Sequence, residues 1–161
     1  MARQPLIRIS FYGYGAGDSF RKMKIFVVLK APRGDDELDR LADLVAKVVH
    51  QSGHEPFIAT KEITHQGLTD PKAFMPFARQ HVETSDLMIV LYHPELRGGL
   101  IEIGIAYAND IPVWLCHKSG EKVSSSALGC VDLKIEYTSL EMLRRALTAN
   151  LRQFAPMRTT N

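Results

Sequence analysis

Residues 97–115, RGGLIEIGIAYANDIPVWL, set one carboxylate into an otherwise apolar run. Glu102 stands between Ile101 and Ile103, shortly after Gly98 and Gly99. Two readings of that charge are open. An acid in the first turn of a helix is favoured by the helix dipole, by about 0.3–1 kcal/mol. The functional reading is a positioned, reactive carboxylate in a dry pocket. Exposed first turns are usually polar, so the apolar flanks of Glu102 speak for the pocket. The pattern alone leaves the two readings level.

Other residues could serve such a carboxylate. Arg33, Arg97 and the amides of Gly98 and Gly99 could hold a phosphate at a helix start, or the arginines could be solvated rim residues. Lys30 and Gly34 share a loop with Arg33. His93 could act as acid or base near Glu102, or be an ordinary loop histidine. Tyr92 could stack on a base, or simply end a strand. His50 and His54 are four apart, but Gly53 ends the helix between them, and the six histidines are otherwise scattered. No metal site is expected. Cys116 reads as core. Neither a G-x-S-x-G elbow nor a P-loop is present.

Positioning these groups falls to strands that alternate with helices. Residues 24–30 (KIFVVLK), 56–60 (PFIAT), 86–92 (DLMIVLY), 111–116 and 131–137 read as strands. Between them, Asp35 or Asp36 caps a helix that Gly53 stops, and Leu38, Leu41, Val45 and Val48 line its apolar stripe. Residues 61–70 read as a polar loop, followed by a helix over 73–84 in which Pro76 makes a kink or sits in the first turn. Glu102 falls in the first turn of a helix over 99–109. Residues 118–129 read as a loop with at most one helical turn. Thr138 or Ser139 caps a last helix lined by Leu140, Leu143, Leu147 and Leu151.

Continuous apolar strands alternating with helices predict an α/β fold, a flavodoxin-like or Rossmann-like single domain. Its five-stranded parallel sheet has helices on both faces, with strands 24–30, 86–92 and 111–116 adjacent and central. Ligands of such sheets bind beyond the carboxyl ends of the strands. That rim comprises Lys30 to Gly34, His93 to Gly99, and His117 with Lys118, and Glu102 belongs to it. Asp86 opens its strand, roughly six residues at about 3.3 Å each from the rim, and reads as a cap or turn residue.

Residues 1–22 read as an N-terminal extension dispensable to the core, 23–154 as the domain, and 155–161 as a disordered C-terminal tail. The G-x-G of GYGAGDSF follows no strand of a βαβ unit and reads as part of a flexible arm. A chain of 161 residues, 45% hydrophobic and 24% charged, fits one soluble globular domain. A net charge of +2 argues against a nucleic-acid polymer as partner. Two cysteines are too few for a disulfide scaffold and suit a reduced, cytoplasmic setting. No apolar run approaches the roughly 18–20 residues of a membrane span. Arg8 interrupts what would be a signal-peptide core.

The segment GGLIEIGIAYANDIPVWL resembles the G-x-x-x-E-hydrophobic-G-x-A segment of the nucleoside 2-deoxyribosyltransferase superfamily, which includes deoxyribosyltransferases and related nucleotide N-hydrolases. Gly98 stands four residues before Glu102, and Gly104 and Ala106 follow it. SDLMIVLYHPE looks like the family's aspartate-led strand, and the layout is similar over about residues 24–150. The resemblance implies that Glu102 is the nucleophile. It implies cleavage or transfer at the N-glycosidic bond of a nucleoside or nucleoside 5′-monophosphate, release to water or to a second base, no cofactor, and a homo-oligomer. Arg33 and Gly34 resemble an Arg-Gly of some nucleotide hydrolases. Four positions depart from the pattern. Lys30 and Ala31 replace small, flexible residues, Ala78 stands where a second active-site aspartate is expected, and Leu96 where Asp or Ser is expected. Ala78 and Leu96 favour an alternative, which Glu102 opposes: a catalytically inactive nucleotide-binding or sensing module of the same fold.

Overall fold

A computed structural model of the chain describes residues 21–31 and 34–154. The expectations for the first twenty residues, for Arg33 and for the tail from 155 onward lie outside the described residues.

The described chain runs β1 (Lys24–Val28), α1 (Asp36–Gln51), β2 (Glu55–Ile58), α2 (Ala59–His65), α3 (Pro71–Glu83), β3 (Leu87–Leu91), α4 (Gly98–Ala108), β4 (Val113–Lys118), α5 (Ser125–Leu128), β5 (Leu133–Tyr137) and α6 (Leu140–Gln153). The five strands form one parallel sheet in the order β2-β1-β3-β4-β5. The expected central trio of β1, β3 and β4 is present.

The apolar runs in β1 and β3 exist because these strands are covered on both faces. Alternate residues feed two cores. Ile25, Val27, Leu29, Leu87, Ile89 and Leu91 pack with Leu41 and Val45 of α1 and with Leu143 and Leu147 of α6. Phe26, Val28, Met88 and Val90 pack with Ala59, Val82, Ile103 and Ala106 of α2, α3 and α4. Each fully buried aliphatic or aromatic side chain contributes about 1.5–3 kcal/mol, so the sheet's position is fixed from both sides.

The helix starts follow local chemistry. Asp35 caps α1 by accepting from the amides of Glu37 and Leu38, and Gly53 after its end adopts φ +82°, a turn a side chain would resist. Ser139 caps α6 through the amide of Met142. Asp86 accepts from the amide of Lys24 at 2.9 Å and from Arg21 Nη2 at 2.5 Å. It ties the starts of β1 and β3 together at the amino end of the sheet.

Three local expectations are corrected. Residues 59–65 form α2, where a polar loop was expected to begin at 61. Ala59 and Ile63, four apart, both pack on the second core, and this two-residue stripe holds the short helix. α3 begins at Pro71, with Asp70 as its N-cap accepting from the amide of Lys72, so Pro76 stands inside the helix rather than in its first turn. β4 continues through His117 and Lys118, which were expected beyond it. Lys118 pairs with Tyr137 in the ladder, and His117 is buried.

Candidate active site

The strand order reverses between β1 and β3, so β1 leads outward to α1 while β3 leads into α4 on the opposite face. A cleft of about 670 Å³ opens there, a size suited to a nucleotide-sized ligand. Leu29, Lys30 and Ala31 after β1 form one side, and Glu95 to Gly99 after β3 form another. α2 and α3 close it with Ala59, Thr60, Ile63, Thr64, Phe74, Met75 and Ala78.

Close packing brings the start of α4 to the sheet. Leu96 is 3% exposed and anchors the loop. A Cβ on Gly99 would lie 2.5 Å from Cγ1 of Val28 and 2.7 Å from Cδ1 of Leu96, so only glycine permits this approach. No side chain caps α4. The helix therefore opens toward the cleft with the amides of Gly98 and Gly99 and with Arg97 beside them.

Glu102 lines the same cleft, but it is the fifth residue of α4 and not in its first turn as expected. The dipole effect fades beyond that turn, so the helix start gives the carboxylate little support. No described residue makes a hydrogen bond or ion pair with it. Burial pushes its carboxyl up to about 7, because an ion among apolar side chains loses its hydration without replacement.

The charges at the mouth are arranged differently. Lys30 and Glu95 form an ion pair, and Lys30 holds the Glu95 carboxyl below its ordinary value. Arg97 is exposed and has no ion-pair partner among the described residues.

The structure thus brings Lys30, Arg97, Gly98, Gly99 and Glu102 together and leaves other candidates apart. Tyr92 accepts from the Ser124 amide at 3.1 Å and lines a separate hollow of about 400 Å³ with Pro94 and Lys122. His93 accepts at Nδ1 from the amide of Glu95 at 3.0 Å and is not among the cleft's lining residues. Gly34 lies in the loop after β1 with φ +87°, also outside the lining. His117 is 4% exposed, with Nδ1 2.9 Å from the carbonyl of Lys118. Ala78 and Leu96 both line the cleft as buried apolar residues.

The walls from α2 and α3 were not foreseen. The sequence signal for α2 is the spacing of Ala59 and Ile63, too short a stripe to stand out among polar neighbours, while α3 is legible as a helix but not as a wall of the cleft. Among the described residues no group of three or more His, Cys, Asp or Glu side chains could hold a metal ion. No helix of the described residues is long and apolar enough to cross a membrane.

The order of the parallel sheet and the six helices of the described residues make a doubly wound α/β fold, which solved nucleoside 2-deoxyribosyltransferase-like structures share. Among solved structures, the CMP N-glycosidase BcmB of Clostridium botulinum matches with a TM-score of 0.64 at 15% identity, over 79% of this chain and 98% of that one. A 2-deoxyribosyltransferase of Bacillus psychrosaccharolyticus matches with a TM-score of 0.59 at 16% identity, over 80% and 95%. The solution structure of BlsM matches with a TM-score of 0.65 at 19% identity, over 82% and 91%. At these identities the likeness is one of fold. No protein-family model matches the chain, and no curated protein matches it by sequence.

Proposed function

We propose that this chain cleaves or transfers at the N-glycosidic bond of a nucleoside or nucleoside 5′-monophosphate, with Glu102 as nucleophile. One observation carries the reading: a carboxylate without a described partner, inside an apolar cleft of about 670 Å³ whose mouth holds Arg97 and an uncapped helix start. The bond to the base breaks through an oxocarbenium-like state, and a carboxylate at C1′ can stabilise that charge or bond to it. Apolar walls strengthen the interaction by excluding water. Arg97 and the amides of Gly98 and Gly99 contact a 5′-phosphate, and water or a second base then takes the sugar. Two of the solved structures with this fold are named as a CMP N-glycosidase and a 2-deoxyribosyltransferase, which supports N-glycosidic chemistry as the class.

The outer face of α4 adds an assembly. Leu100, Ile101 and Tyr107 are 40%, 55% and 62% exposed, and the helix GGLIEIGIAYA is apolar all round apart from Glu102. Such a helix is normally buried. The chain works as a cytoplasmic homo-oligomer in which this face meets a second copy.

A second reading has its own observation. Ala78 and Leu96 line the cleft where the resemblance places polar helpers, which favours a nucleotide-binding or sensing module without catalysis. Incubating the protein with a panel of nucleosides and 5′-monophosphates separates the two readings. Release of free base supports the enzyme, and binding without release supports the module.

A further inference from the structure

The cleft's chemistry bears on which base leaves, given the N-glycosidic reading above. Expelling a neutral base from C1′ places an electron pair on a ring nitrogen, and such a leaving group ordinarily needs a proton from a nearby acid. Among the described lining residues no uncommitted acid faces the base, because the Lys30 ammonium is held in its ion pair at the mouth. Glu95 is ion-paired with Lys30 at the mouth. The Thr64 hydroxyl donates to the carbonyl of Thr60 at 2.8 Å, and hydroxyls are too weakly acidic for the task. Ala78 is buried in the wall. A Glu102 that bonds to C1′ cannot also protonate the base.

Charge points the same way. The mouth offers exposed Arg97 without a described ion-pair partner, while the more buried Glu102 has no described cation and shares the cleft with Ile63, Phe74 and Met75. The complementary ligand carries an anion at the mouth and a cationic, flat, apolar ring inside. We infer that the cleft is built for nucleotides whose base is a cationic heteroaromatic ring, the N-ribosyl pyridinium class. Burial costs Glu102 part of its ionisation, and a cation beside it restores the anion.

The step balances without an external acid. The C1′–N bond breaks, and its electron pair stays on the ring nitrogen, which becomes neutral. A Glu102 carboxylate oxygen forms the new C1′–O bond. Water then attacks C1′, Glu102 departs as carboxylate, and one proton passes to solvent. One cationic nucleotide and one water give one neutral base, one sugar phosphate and one proton.

The test uses nicotinamide mononucleotide as the pyridinium probe, beside the 5′-monophosphates of uridine, cytidine, adenosine and guanosine. Free base is followed by chromatography with wild type and Glu102→Gln. Calorimetry compares the probe with its reduced, uncharged dihydropyridine form, which controls for shape. The expected result is kcat/KM for the pyridinium at least about tenfold above every neutral-base nucleotide, with binding that favours the charged form by a similar factor in wild type and not in Glu102→Gln. Faster release from a neutral-base nucleotide, or equal affinity for the two forms in wild type, overturns the inference and leaves the N-glycosidic reading standing. No release and no binding with any member of the panel overturns both.

Discussion

Gly99 of α4 lies so close to Val28 of β1 that a Cβ on the glycine would stand 2.5 Å from Val28 Cγ1. This contact sets the height of α4 over the sheet, and with it the place of Glu102 in the cleft. Gly98, one residue earlier, would meet nothing within 4 Å. Gly99→Ala should therefore cost about 1–3 kcal/mol, as overpacked sites do, while Gly98→Ala should be neutral or stabilising by about 0.4–1 kcal/mol. Thermal or urea melts of the two variants check this, and equal stabilities would contradict the close packing.

Stability should also depend on pH through Glu102. Its carboxyl is raised from 4.5 to about 7 in the fold. Between those values the folded chain binds a proton that the unfolded chain does not, so this group's contribution falls as pH rises from about 4.5 to about 7 and stays low above. The full effect is up to about 3 kcal/mol. Glu102→Gln removes it. The variant should match wild type near pH 4.5 and melt higher near pH 8. A variant less stable than wild type at pH 8 would show that a charged partner holds the carboxylate.

Arg97 should separate nucleotides from nucleosides. A charge-assisted contact to phosphate is worth about 1.5–3 kcal/mol. Calorimetry should find a nucleoside 5′-monophosphate bound more tightly than its nucleoside by wild type, and Arg97→Ala should lose that margin while nucleoside affinity holds. An unchanged margin in the variant would place the phosphate elsewhere.

The outer face of α4 predicts self-association. Light scattering should give wild type a mass at least twice the 18.1 kDa of one chain, and Ile101→Lys should shift it toward one chain by burying a charge in the contact. A wild type that scatters as a single chain at micromolar concentration would remove the proposed interface.

Much of the sheet was legible because parallel strands covered on both faces need uninterrupted apolar runs, and 24–30, 86–92 and 111–116 carry them. Glu102 was legible for the opposite reason, a lone charge in such a run. Its neighbours across the cleft were not. Phe74, Met75 and Ala78 line the cleft from α3, and Ile63 from α2, through packing that spacing within one segment does not encode. The polar stretch after 60 concealed α2, whose stripe is only Ala59 and Ile63. Tyr92 and His93 adjoin the site in sequence but are taken up by the amides of Ser124 and Glu95, partners that only the folded loops supply.

If Glu102 is the nucleophile, turnover by Glu102→Gln shows it. The swap keeps the side chain's size and removes the anion at C1′. With the nucleotide on which wild type is most active, the variant should lose base release by at least about a hundredfold, within the range that removal of a key stabilising group produces, while calorimetry still detects binding of that nucleotide. A variant that releases base at the wild-type rate would contradict the account.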